Sequence, residues 1–142
     1  MELMGLLTER DFLVLSEVSF LRTLPDRDVR RWLAGCSVST FRGGASLFTE
    51  GDSSESLFVV LQGEIEVFVA RDGVDVPLDR IRTGAFFGEQ ALLRGPPYRR
   101  TAGARATTPS RLVEIDRDRF TELLALPVNQ ALRVSLVGKG DI

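Results

Sequence analysis

Residues 86–106 read FFGEQALLRGPPYRRTAGARA. Gly84, Ala85 and Gly88 interrupt an apolar run, and Glu89-Gln90-Ala91-Leu92-Leu93 continue for about one helical turn before Gly95-Pro96-Pro97 stops it. Unpaired N–H groups at such a helix start, beside a glycine that lets the backbone approach closely, form a small anion site. Arg100 follows after a short loop and can fork onto the same anion from the other side. A carboxylate beside an anion repels it, so Glu89 fits only as the acceptor for a hydroxyl next to the phosphate, as an acidic residue does for ribose in dinucleotide sites. Taken singly, a Gly-Glu pair marks a solvated turn and a loop arginine a solvated cation. Taken together, amides plus arginine for a phosphate and a carboxylate for a sugar describe a nucleotide site.

Outward from this stretch, short apolar segments alternate with turn signals at Gly43-Gly44, Gly51-Asp52, Gly63 and Asp72-Gly73. Many short strands broken by glycine turns predict a barrel or jelly roll over about residues 37–115. Glu64 to Val69 alternates, which places Ile65, Val67 and Val69 on one face and Glu64 and Glu66 on a solvated one. Helices flank this middle. Thr8 caps a first helix from Glu9 to about Val18, and Pro25 opens a second that runs to Ala34, with Gly35 beyond its end. Asp116 caps a third to about Ala125, and Pro127 begins a fourth carrying Val128, Leu132 and Leu136, with Gly138 as its stop. The fold class expected is α+β, mainly β, with helices over about 9–34 and 117–137 and a single domain over residues 1–142.

Composition narrows the function. With 44% apolar residues and a net charge of −2, the chain has an ordinary soluble balance and no basic excess to attract nucleic acid. No apolar run approaches membrane-spanning length. The start is apolar but has no basic leader and soon meets Glu9-Arg10-Asp11, which argues against a signal peptide. Cys36 is the single cysteine, so no internal disulfide forms; a reducing, cytoplasmic location is expected, with Cys36 packed as a small apolar side chain. There is no histidine, which removes Ser–His and Cys–His dyads and the common metal-binding jelly rolls, so neither an enzyme nor a metal site is expected.

The stretch resembles the phosphate-binding cassette of cyclic nucleotide-binding domains, the modules of protein kinase A regulatory subunits, bacterial cyclic AMP receptor proteins and cyclic nucleotide-gated channels. Phe87-Gly88-Glu89-Gln90-Ala91-Leu92 matches its first half and Arg100-Thr101-Ala102-Gly103-Ala104-Arg105-Ala106 its second. The likeness extends over about residues 20–126, through Ser46 to Asp52, Leu57 to Ile65 and Leu112 to Phe120. It implies a double-stranded β-helix jelly-roll barrel with a short cassette helix. It also implies a ribose contact at Glu89, phosphate-facing amides at Gly88, Ala91 and Leu92 with Gln90 between them, and a phosphate arginine at Arg100. The loop before Arg100 is about two residues longer than the family's, and Arg99 is the rival for its role. Thr101 goes with cyclic GMP tolerance in the family. Ala102, Gly103 and Ala104 leave room for a purine or pack tightly beneath a helix. Leu132 or Leu136 would cover the base, or simply pack on the barrel.

The resemblance thus implies a regulatory domain for a cyclic purine mononucleotide, cyclic AMP first and cyclic GMP second, needing no other cofactor. The alternative is a degenerate fold that acts as a ligand-independent protein-interaction module. No helix-turn-helix, kinase, channel or hydrolase segment is recognised, so the expected partners are the nucleotide and an effector domain or protein. Nucleic acid and membrane are not expected partners, and homo-oligomerisation is left open.

Overall fold

The strand signals between Ser37 and Asp116 resolve into two antiparallel sheets. The structure, a computed structural model, describes the backbone of residues 3–140 and the side chains of residues 6–136. One sheet holds β1 (Leu3–Gly5), β2 (Ser37–Phe41), β9 (Ser110–Asp116), β4 (Ser56–Gln62) and β7 (Phe86–Phe87), in that spatial order. The other holds β3 (Ser46–Phe48), β8 (Gly103–Ala106), β5 (Glu64–Arg71) and β6 (Val74–Arg82). This is the expected jelly roll, but the two sheets face each other without closing into a barrel. At the turn between β4 and β5, Gly63 has φ +104° and a Cβ there would lie 2.3 Å from Ser110 Oγ. Only glycine lets that turn pass so close to the chain entering β9.

Alternation along the strands builds two cores. Leu57 and Val59 of β4, with Val113 and Ile115 of β9, face the helices and pack with Leu15, Phe20, Leu33, Phe120 and Leu123. Val60 of β4 and Leu112 of β9 point the other way, toward Phe41, Ile65, Phe87, Ala104 and Ala106 between the sheets. Each large side chain removed from water this way contributes about 1.5–3 kcal/mol, so β4 and β9 are clamped from both faces.

The helices follow the sequence with three differences. Thr8 caps α1 (Glu9–Leu15) in a reciprocal box: Asp11 N donates to Thr8 Oγ1 at 3.2 Å and Thr8 N to Asp11 Oδ2 at 2.8 Å. The helix stops at Leu15 rather than near Val18, because Ser16 Oγ donates to Leu13 O and the chain then turns. Pro25 precedes α2 (Asp26–Leu33), and Asp116 Oδ1 accepts from Arg119 N to cap α4 (Arg117–Ala125). The segment from Pro127 opens as a 3-10 turn, Pro127–Asn129, not as the helix itself. Buried Asn129 holds it there by donating to Phe20 O and Leu123 O at 3.0 and 2.8 Å. The last helix, α5 (Gln130–Gly140), continues past Gly138. A glycine inside a helix costs only about 1 kcal/mol, too little to end it alone.

The Glu64–Glu66 face is not the solvated surface the alternation suggested. Glu66 is 7% exposed, covered by Arg105 at 2.8 Å and Arg80 at 3.4 Å, while Glu64 pairs with Arg80 and Arg82. Paired strand neighbours put these charges opposite one another, so the outer face of β5, β6 and β8 is a lattice of ion pairs. Cys36, half-buried between α2 and β2, packs on the first core, and burial raises its thiol pKa. Among the described residues, no helix is long and apolar enough to cross a membrane.

Candidate functional site

Strand β7 carries the chain beneath the site. Phe87 and Phe86 pair with Phe58 and Val59 of β4, after which Gly88 turns at φ +89° into the one-turn helix α3 (Glu89–Leu93). A Cβ on Gly88 would lie 2.6 Å from Arg100 Nη1, so the glycine is required both for its dihedral and for the guanidinium that lies on it. Ala91 and Leu92 are buried and fasten α3 to the body of the molecule.

Beyond α3 the chain turns at Gly95 and returns antiparallel to residues 51–54. Ser54 N donates to Tyr98 O at 2.9 Å, Arg100 N to Asp52 O at 2.8 Å and Gly51 N to Arg100 O at 2.8 Å. This pairing absorbs the extra loop length and sends the two arginines in opposite directions. Arg99 points outward, exposed, and donates to Gly51 O at 3.1 Å. Arg100 points inward and is 3% exposed. Its guanidinium stacks 4.2 Å from the Phe48 ring centroid and 5.6 Å from that of Phe58. One terminal nitrogen donates to Gly88 O at 3.0 Å and the other to Ser54 Oγ. Ser54 Oγ contacts Ser56 Oγ, which donates to Glu114, so a carbonyl and one hydroxyl, not a carboxylate, accept from the cation directly.

Arg100 takes part in none of the ion pairs among the described residues, and its Nε is buried without a hydrogen-bond partner. Burial pushes its pKa down to about 10, against the opposing pull of the Glu114, Asp52 and Glu89 charges. It therefore stays charged at neutral pH in a place that disfavours charge.

A cavity of about 210 Å³ opens beside it. Gly88, Glu89, Gln90 and Ala91 line one side, followed by Arg100, Thr101 and Ala102. The opposite wall is Phe48, Val67, Asp79 and Ile81, with Phe86 and Phe87 at the base of the cassette. Seven of the nine residues expected from sequence thus share one cavity; Leu92, whose side chain joins the first core, and Arg99 are not among its lining. Leu132 and Leu136 pack on the first core and do not line it either.

Sequence reasoning missed Phe48, Ser54, Val67, Asp79 and Ile81. Asp79 had a local signal: it lies two residues before Ile81 on β6, so it occupies an inward-facing position. Phe48 and Ser54 had none, because only the folded chain brings them to Arg100.

A family model described as the cyclic nucleotide-binding domain matches residues 38–126, more than half of the chain. A cAMP-dependent protein kinase regulatory subunit of Emericella nidulans is 32% identical over 119 residues, covering 84% of this chain and 28% of that relative. The corresponding subunit of Eremothecium gossypii is 29% identical over 127 residues, 89% of this chain and 26% of the relative. The chain therefore spans little more than a quarter of these relatives. Among solved structures, a cyclic nucleotide-binding-like protein from Brucella abortus is 26% identical with a TM-score of 0.67, covering 83% of this chain and 100% of that one. The regulatory domain of Toxoplasma gondii PKA, solved with cAMP, is 25% identical with a TM-score of 0.71, covering 81% and 43%.

Proposed function

Because the chain belongs to the cyclic nucleotide-binding domain family, we propose that its cavity takes a cyclic purine mononucleotide and that the chain is a regulatory module, not an enzyme. The observation that carries this reading is Arg100: a buried guanidinium outside every ion pair among the described residues, beside a cavity. A buried charge is costly unless something of opposite sign meets it. A phosphodiester supplies one negative charge and acceptor oxygens, and the backbone amides at Gly88 and Ala91, which line the cavity, add donors from the other side. Glu89, on the same wall, accepts from the ribose 2′-hydroxyl. A 3′,5′-cyclic phosphate leaves that hydroxyl free while ending the chain of phosphates, which suits a small cavity. The names of the relatives make cAMP the first ligand to test.

Regulation needs a ligand that binds one conformation better than another. Two contacts lead from the cassette to the C-terminal helices. Leu92 and Leu93 of α3 pack in the same core as Phe120, Leu124, Leu132 and Leu136. Tyr98 of the long loop receives a hydrogen bond from Arg117, whose guanidinium lies 4.7 Å from its ring centroid at the start of α4. A shift of the cassette on ligand entry is carried to α4 and α5 through these contacts, and from there to an effector.

Titration calorimetry with cAMP, cGMP and linear 5′-AMP tests the reading. Binding of a cyclic compound at least tenfold tighter than the linear one supports it. Binding of neither cyclic compound overturns it in favour of a protein-interaction module. Equal binding of 5′-AMP overturns it in favour of a general nucleotide pocket. Hydrogen exchange unchanged by ligand in α4 and α5 would remove the relay alone.

A further inference from the structure

The wall of the cavity opposite the cassette carries a carboxylate that the phosphate and sugar leave unused. Asp79 pairs with Val67 on β5, and Ile81 pairs with Ile65, so Val67, Asp79 and Ile81 share the inner face of the sheet. Arg80 and Arg82 alternate with them on the outer face, where Glu64 and Glu66 hold both. Asp79 is therefore a lone charge where an apolar residue would continue the wall. Its Oδ1 accepts from Arg80 N at 2.8 Å, and it joins none of the ion pairs among the described residues. An inward charge can guard an edge strand against pairing, but Pro77 and the outward Arg80 and Arg82 already protect β6. With Glu89 and Arg100, Asp79 completes the charged lining of the cavity.

Resting on the reading of this cavity as a cyclic nucleotide site, we infer that Asp79 reads the base and favours guanine over adenine. With the phosphate at Arg100 and the ribose at Glu89, the base extends across to Val67, Asp79 and Ile81. The two aliphatic side chains cover its face. An ionised carboxylate only accepts hydrogen bonds. Guanine presents adjacent donors, N1–H and the 2-amino group, which a carboxylate meets with both oxygens. Adenine presents its 6-amino donor flanked by ring nitrogens that are acceptors, and these repel a second carboxylate oxygen. Thr101, at the cassette side of the same cavity, adds a hydroxyl able to accept or donate. The names of the relatives place cAMP first; the chemistry of this wall reverses the order.

Competition calorimetry with cGMP, cAMP and cyclic inosine monophosphate, which lacks the 2-amino group, tests the inference on the wild type, Asp79→Asn and Asp79→Ala. The wild type is expected to bind cGMP about tenfold tighter than cAMP, with the inosine compound between them. Asp79→Ala should abolish the preference, and Asp79→Asn should bring it near parity, since a carboxamide pairs with the donor and acceptor of adenine and equally with the N1–H and O6 of guanine. Asp79 is exposed on an edge strand, so both variants retain the fold, and an unchanged thermal midpoint checks this. A cGMP-to-cAMP ratio that neither substitution moves overturns the inference and leaves the site reading intact. Binding of no cyclic nucleotide by the wild type overturns both.

Discussion

Arg111 and Arg100 carry the same side chain into the body of the molecule and meet opposite surroundings. Arg111, on β9, forks onto Asp11 of α1 with both terminal nitrogens, at 2.7 and 2.9 Å. That hydrogen bonding raises its pKa. Arg100 lies on two phenylalanine rings, donates only to neutral oxygens, and has its pKa lowered to about 10 by burial. In the first case the chain supplies the counter-charge, and the result is a structural latch that ties the N-terminal helix to the sheet. In the second the Glu114, Asp52 and Glu89 charges act without a direct ion pair among the described residues, and a cavity lies beside the guanidinium. The difference separates an arginine that holds the fold from one that awaits an anion.

The largest effect should come from breaking the latch. Asp11 is buried and Arg111 is partly exposed, so Asp11→Ala removes the charged fork and half of the capping box and should cost about 2–3 kcal/mol in denaturant unfolding. Ligand affinity should stay within about twofold, since such a change is below 0.5 kcal/mol. Replacing both partners, Asp11→Leu with Arg111→Met, should cost less than Asp11→Ala alone. Acid provides a second way to open the latch. Burial alone would raise the Asp11 carboxyl, but the hydrogen bonds from Arg111 and Thr8 outweigh it and hold the pKa below the ordinary 3.8. A depressed folded-state pKa contributes stability that is complete above 3.8 and lost as pH falls through the lower folded value. Unfolding curves of wild type and Asp11→Ala should therefore converge in that acid window and differ fully at neutral pH.

The cassette should respond in affinity and not in stability. Arg100→Ala should weaken cyclic nucleotide binding about 10–100-fold, the loss of one or two charge-assisted contacts, while stability changes by less than about 1 kcal/mol. Because the Arg100 pKa lies at about 10, affinity should be flat near neutrality and fall as pH climbs toward that value. A fully solvated arginine would show no such decline, and calorimetry in alkaline buffers distinguishes the two. The smallest effect belongs to Arg99→Ala. Its contact is an exposed one with Gly51 O, and affinity should change by no more than about twofold. A larger loss there would reassign the phosphate contact.

What the sequence made legible was local. Gly88, the single turn of α3 and its stop at Gly95-Pro96-Pro97 are signalled by residues within a few positions of one another, and all appear where expected. The same holds for the caps at Thr8 and Asp116. The directions in which Arg99 and Arg100 point were not local, because they depend on the pairing of residues 98–100 with residues 51–54. The open jelly roll was half legible. Turn glycines announce strands, but which strand edges bond across is fixed by packing. Glu66 was misread for the same reason: alternation gave its face, and only the fold showed Arg80 and Arg105 covering it. Gly138 shows the limit of a propensity rule, since α5 continues through it.

The account depends on the counter-charge missing at Arg100 being supplied by a cyclic phosphate. Thermal unfolding of wild type and Arg100→Met, each with and without cyclic nucleotide at about a hundredfold excess over the wild-type Kd, tests this most directly. Without ligand the variant should melt at the wild-type temperature or above it, because an unpaired buried charge has gone. With ligand the wild type should rise by about 5–10 °C, the equivalent of about 2.7 kcal/mol, and the variant by far less. A variant that melts well below the wild type without ligand, or that keeps the full rise with it, would contradict the account.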